Sequence, residues 1–92
     1  MYKAYASYFV SYALSKMKRI DQIKNIILFG SVARNEATKA SDIDIFIDVE
    51  KKTKMLESET ESILKDFYKS REALLFKVNG IENKISLVIG KL

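Results

Sequence analysis

Asp42 and Asp44 are separated by a single residue in the run DIDIFIDV. Alternate residues of a strand point the same way, with Cα atoms roughly 6.5–7 Å apart. The two carboxylates therefore project from one face, and their mutual repulsion calls for a cation. Two oxygen-ligated Mg²⁺ ions about 3.5–4 Å apart would meet that need and would clamp an in-line phosphoryl displacement. Upstream, Gly30-Ser31 follows the apolar run NIILF and precedes SVARNEA, where a strand hands over to a helix. Such a turn aims backbone N–H groups and a hydroxyl outward at the positive end of a helix dipole, which makes a cradle for a triphosphate. It is not a Walker A loop, because no Gly-Lys-Ser/Thr follows a four-residue gap. Arg34, one turn further on, is placed to reach a phosphate or to brace the loop.

The elements that must hold these groups are read from periodicity. Tyr5, Tyr8, Phe9, Tyr12 and Met17 recur at helical spacing, so residues 2–19 are predicted as an amphipathic helix whose aromatic stripe is core or rim packing rather than a stacking surface for bases. Residues 25–29 read as a buried strand. Residues 42–49 read as a second strand, with Ile43, Ile45, Ile47 and Val49 on one face and Asp42, Asp44, Phe46 and Asp48 on the other. Asp48, farther along, is read as a solvated strand-end residue. A long helix follows, with Thr53 as its cap and Leu56, Ile63, Leu64 and Phe67 on one stripe. ALLFKV fits either a continuation of that helix or a strand. NGIEN is a turn, and residues 84–89, KISLVI, form a third strand.

Composition narrows the chemistry. The chain has 92 residues, one small domain spanning 1–92, with no cysteine and no histidine. Disulfides, thiolate zinc sites and every Ser-His or Cys-His mechanism are excluded, which leaves Asp, Glu, Ser, Lys, Arg, Tyr and backbone groups. The formal charge of +4 fits a phosphate-rich partner or a plain lysine-rich surface, and the lysines are dispersed in sequence rather than blocked. No apolar run is long enough to span a membrane and no signal peptide is visible, so the expected location is cytoplasmic. The chain ends at Leu92, just after a buried strand. This predicts a longer protein of which 1–92 is the N-terminal part, or a partner covering that edge in a homo- or hetero-oligomer.

Ten residues separate Ser31 from Asp42, giving Gly-Ser-x10-Asp-x-Asp between two predicted strands. With this spacing the stretch from Ile26 to Val49 resembles the minimal nucleotidyltransferases of the DNA polymerase β superfamily, found in two-gene modules with helical HEPN proteins. The order of elements on both sides agrees. The resemblance implies an α/β fold, a mixed sheet of three or four strands with helices mainly on one face. It implies that Gly30 and Ser31 hold nucleotide phosphate, with Arg34 the usual arginine of the Ser-x-Ala-Arg segment. It implies that Asp42 and Asp44 are catalytic and bind metal, in a two-Mg²⁺ site. The implied activity is transfer of a nucleoside monophosphate from ATP or another NTP to a protein or RNA acceptor, with an antitoxin-like role beside a HEPN-type partner. Two positions depart from the family pattern. Asn35 replaces a glycine, a mild change because asparagine tolerates left-handed backbone. Ser86 stands where the third strand usually carries a further aspartate, and Glu82 in the preceding turn is a weak substitute. The alternative reading is therefore a nucleotide- or partner-binding module that has lost turnover.

Overall fold

The computed structural model describes residues 1–92. Helix α1 (Tyr2–Lys16) leads through a 3-10 turn (Ile20–Gln22) into strand β1 (Ile23–Phe29) and the single turn α2 (Gly30–Ala33). Strand β2 (Ile43–Val49), helices α3 (Lys54–Tyr68) and α4 (Arg71–Val78) and strand β3 (Ile85–Gly90) complete the chain. The sheet order is β1-β2-β3. β1 and β2 run antiparallel, and β2 and β3 run parallel. A parallel neighbour requires a crossover, and α3 with α4 supplies it.

One face of this sheet carries the core. Ile43, Ile45, Ile47 and Val49 are all essentially buried, as the alternation predicts. They meet Tyr5, Ala6, Phe9 and Ala13 of α1 and Leu56, Thr60, Ile63 and Phe67 of α3. Phe67 is the hub: the rings of Tyr5, Phe9 and Tyr12 approach it at 5.6, 5.2 and 5.4 Å between centroids, in tilted or edge-on poses. Such pairs add to the burial of area alone. The aromatic stripe of α1 is thus core at Tyr5 and Phe9 and rim at Tyr12, while Tyr8 lies half in solvent against Phe76. This mixed α/β architecture, with helices over one sheet face, is the polymerase β-like arrangement expected from the sequence.

Some boundaries differ. The first helix ends at Lys16, where Met17 turns to extended backbone, instead of running to residue 19. β1 begins two residues early, at Ile23, across an irregularity between Ile23 and Asn25. β3 runs one residue later than predicted at each end. Thr53 does cap α3, its hydroxyl accepting from Leu56 N at 3.2 Å. The segment ALLFKV is helical because Ser70 opens a fresh helix, accepting from Ala73 N at 3.2 Å. That new start lets α4 turn back so that Phe76 packs on Tyr5 at 5.1 Å and on Tyr8 at 5.4 Å.

Candidate active site

The other sheet face is open around Ile27, Phe29 and Val88 but closed at Asp48, and strand register arranges it in rows. Phe29, Asp44 and Ser86 form one row; Ile27, Phe46 and Val88 the next; Asn25, Asp48 and Gly90 the third. Asp42 lies just ahead of β2 at the same end as the first row. Asp42 is exposed and Asp44 half-buried, and alternation along the chain points them to the same side. No third carboxylate joins them to make a cluster of three. The parallel register puts Ser86 directly beside Asp44.

Gly30 and Asp44 are fitted to each other. Gly30 has φ +72°, in the left-handed region, and a Cβ there would collide with the Asp44 carboxylate, with Cγ at 3.0 Å and Cβ at 3.2 Å. Only glycine allows both that backbone and that approach. The turn that follows is closed by Arg34 N to Gly30 O at 3.2 Å and Glu36 N to Ser31 O at 2.8 Å. Asn35 sits at φ +60°, as tolerance of left-handed backbone anticipated for this residue. Ser31 is half-buried in the first turn of α2. Arg34 is exposed, and its Nε donates to Glu36 Oε1 at 3.1 Å. A pair this exposed holds its partners by less than about 1 kcal/mol, so the guanidinium is free to swing.

Two supporting residues went unnoticed in the sequence. Asn83 is buried, and its amide donates to Thr38 O at 2.9 Å and to Ser41 O at 2.7 Å. It clamps the 38–41 turn, itself closed by Thr38 N to Ser41 Oγ at 2.9 Å, and so fixes the approach to Asp42. Tyr68, at the end of α3, accepts from Ile85 N at 2.8 Å and ties the helix to the first residue of β3. Burial raises the Tyr68 pKa, the bond from Ile85 opposes that shift, and the nearby Asp42 carboxylate adds to it. The phenol therefore lies within electrostatic reach of Asp42. An Asn after a Gly-containing turn and a Tyr closing a helical stripe are the only sequence signals for these two roles, and neither is specific.

Asp48 corrects an expectation. It is buried rather than solvated, and accepts from Leu92 N and from Asn25 Nδ2, each at 3.1 Å. The Leu92 bond chiefly, then the Asn25 bond, holds its pKa below the ordinary carboxylate value; Lys24 and Lys91 act in the same direction and burial opposes. Asp48 is a latch between β1, β2 and the segment after β3, away from the Asp42–Asp44 end.

The donor chemistry suits a divalent cation. Mg²⁺ takes hard oxygens and is usually held by one or two carboxylates together with substrate phosphates, not by a full protein cage. Asp42 and Asp44 supply the two carboxylates and the Ser86 hydroxyl lies alongside. No helix is long and apolar enough to cross a membrane.

A family model described as the nucleotidyltransferase domain matches residues 10–89. Over 69 residues the chain is 41% identical to a Methanocaldococcus jannaschii protein named "Putative protein adenylyltransferase", an alignment covering 74% of this chain and 69% of that one. No solved structure matches. Members of such a family generally use a nucleoside triphosphate and a divalent metal. Since the match runs from the middle of α1 to the end of β3 and encloses both the Gly30 turn and the acidic strand, the chain belongs to the nucleotidyltransferase domain family, in its minimal form.

Proposed function

We propose that this protein is a Mg²⁺-dependent nucleotidyltransferase that moves a nucleoside monophosphate, AMP in the first instance, from the triphosphate to a hydroxyl of a protein acceptor. The observation that carries this reading is the contact between Gly30 and Asp44, which welds the phosphate turn to the acidic strand. In this scheme the Gly30 backbone and the Ser31 hydroxyl hold the β- and γ-phosphates, and Arg34 leaves Glu36 to add a contact. Asp42 and Asp44 hold Mg²⁺, which when bound neutralises charge on the α-phosphate and the pyrophosphate. The acceptor oxygen bonds to the α-phosphorus, the bond from that phosphorus to the bridging oxygen breaks, and pyrophosphate leaves. The acceptor's proton passes to solvent at the exposed Asp42 edge, since the Ser86 hydroxyl is no base at neutral pH.

The name of the archaeal relative favours a protein acceptor, and the family resemblance points to a tyrosine of a HEPN-type helical partner; an RNA end is the alternative acceptor. A cytoplasmic setting supplies the triphosphate. Incubation with α-labelled ATP, Mg²⁺ and a HEPN-type protein or an RNA tests the proposal. Label should move to the acceptor, and Asp42→Ala should abolish transfer. No transfer with either Mg²⁺ or Mn²⁺, together with an Asp42→Ala variant that binds ATP as wild type does, would refute it.

A second reading has its own observation: Ser86 occupies the place beside Asp44 and only two carboxylates converge. On that reading the protein binds nucleotide and partner without turnover. Calorimetry would then detect ATP–Mg²⁺ binding with no product, and Ser86→Asp would gain activity.

A further inference from the structure

Four cations that look scattered in the sequence, Lys16, Lys18, Arg19 and Lys54, are brought together where α1 ends and α3 begins. β1 starts and β2 finishes there, with Ile23 paired to Val49, so the chain before β1 and the chain after β2 meet. Five residues of β2, Ile45–Val49, lie between Asp44 and this end, roughly 17 Å along a strand.

An open cleft of about 700 Å³ runs between the end of α1 and α3, along α3 from Lys54 to Asp66. Lys16, Lys18, Arg19 and Lys54 line it. Glu59 is already engaged, accepting from Lys18 N at 2.6 Å and from Arg19 Nη1 at 3.3 Å. Lys16, Lys18 and Lys54 have no ion-pair partner, and neither has Asp66, which also lines the cleft. The Lys16 ammonium lies 5.6 Å from the centre of the Tyr12 ring on the cleft wall. Beyond the cleft Lys51 lies just ahead of α3, whereas Lys52 and Lys24 are paired with Glu57 and Glu50.

We propose that this cleft binds a single-stranded nucleic acid, as a docking surface separate from the nucleotidyl-transfer site. A lone phosphate would need one or two of these cations, whereas Lys16, Lys18, Arg19 and Lys54 together can meet successive phosphates. An acidic protein surface fits less well. Asp66 faces the same cleft as an acceptor; base amino groups and ribose hydroxyls can donate to it, whereas a carboxylate is repelled by it.

Anisotropy of a labelled 20-nucleotide single-stranded RNA, titrated with the protein at several salt concentrations, tests this. The cleft triple variant Lys16→Gln/Lys18→Gln/Lys54→Gln removes the same charge as a control triple, Lys39→Gln/Lys69→Gln/Lys84→Gln. The cleft triple should weaken binding about ten-fold or more. It should also lower the slope of log affinity against log salt by about 2, at roughly 0.7 per phosphate contact on a single strand. The control triple should change affinity less than about two-fold, and ATP binding by the cleft triple should equal wild type. Equal losses in the two triples, no RNA binding by wild type, or polyglutamate binding as tightly as RNA would each overturn the proposal. So would ATP alone displacing the strand at matched phosphate concentration.

Discussion

Gly30→Ala tests the junction between the Gly30 turn and the acidic strand. An L-residue at φ +72° costs roughly 1–2 kcal/mol. Forcing a methyl group against the Asp44 carboxylate adds an overpacking term of about 1–3 kcal/mol. Together these make roughly 2–5 kcal/mol, a large share of the stability of a small domain. At about 4–8 °C per kcal/mol in this size range, Tm should fall by about 10 °C or more. A double-mutant cycle separates the terms. In an Asp44→Ala background the carboxylate is gone, so Gly30→Ala should cost only the backbone part. The coupling, read by urea unfolding followed by circular dichroism, should then be about 1–3 kcal/mol. Folded Gly30→Ala should also lose metal-dependent ATP binding more severely than Ser31→Ala, because it displaces a carboxylate and not just one hydroxyl. Additive costs, with a coupling below about 0.5 kcal/mol, would show that the Gly30–Asp44 fit has no energetic reality.

Other perturbations address the supports. Asn83→Ala strips two carbonyls of their donor and should cost about 1–3 kcal/mol by chemical denaturation, with weakened divalent-ion binding as the 38–41 turn loosens. Asp48 contributes stability that is present above the ordinary carboxylate value of 3.8 and is lost as pH falls through its lower folded value. Asp48→Asn should therefore be less stable than wild type at neutral pH, and melts at descending pH should show the gap closing below about pH 4. Burial, helped by Tyr68, pushes Tyr5 up to about 12, so the folded protein keeps a proton that the unfolded chain releases near 10. Stability should fall by about 2–3 kcal/mol between pH 10 and 12, and Tyr5→Phe should flatten that fall in alkaline unfolding curves.

The β2 alternation was legible because one sheet face is buried and the other open, so residue type tracks burial with period two. The Gly30-Ser31 turn was legible because few residues other than glycine accept its backbone. What escaped was set by contacts distant in sequence. Asp48 looks like any strand-end carboxylate until Leu92 N and Asn25 are brought to it from 44 and 23 residues away. Asn83 reads as a turn residue until the fold delivers two carbonyls more than 40 positions upstream. The division of α3 from α4 carried a local signal, Ser70 with Glu72 in the next turn, but the helical propensity of the surrounding run masked it. The cationic cleft could not be read from spacing, since Lys16 and Lys54 become neighbours only through the packing of α1 on α3.

The Gly30 turn and both aspartates belong to one antiparallel pair joined by residues 30–42, so their meeting depends on a short loop closure. Closures of that length take on the order of 10–100 ns, and a hairpin settles within microseconds. In contrast, Ser86 joins the row only after the long crossover through α3 and α4 has docked. The Gly30–Asp44 half of the row is thus specified early, as one contiguous cassette. An isolated pair of strands is marginal in water. The helices and β3 act as the buttress that keeps the cassette closed, so chain added or altered in the crossover should change how long the site stays assembled before it changes what the site is.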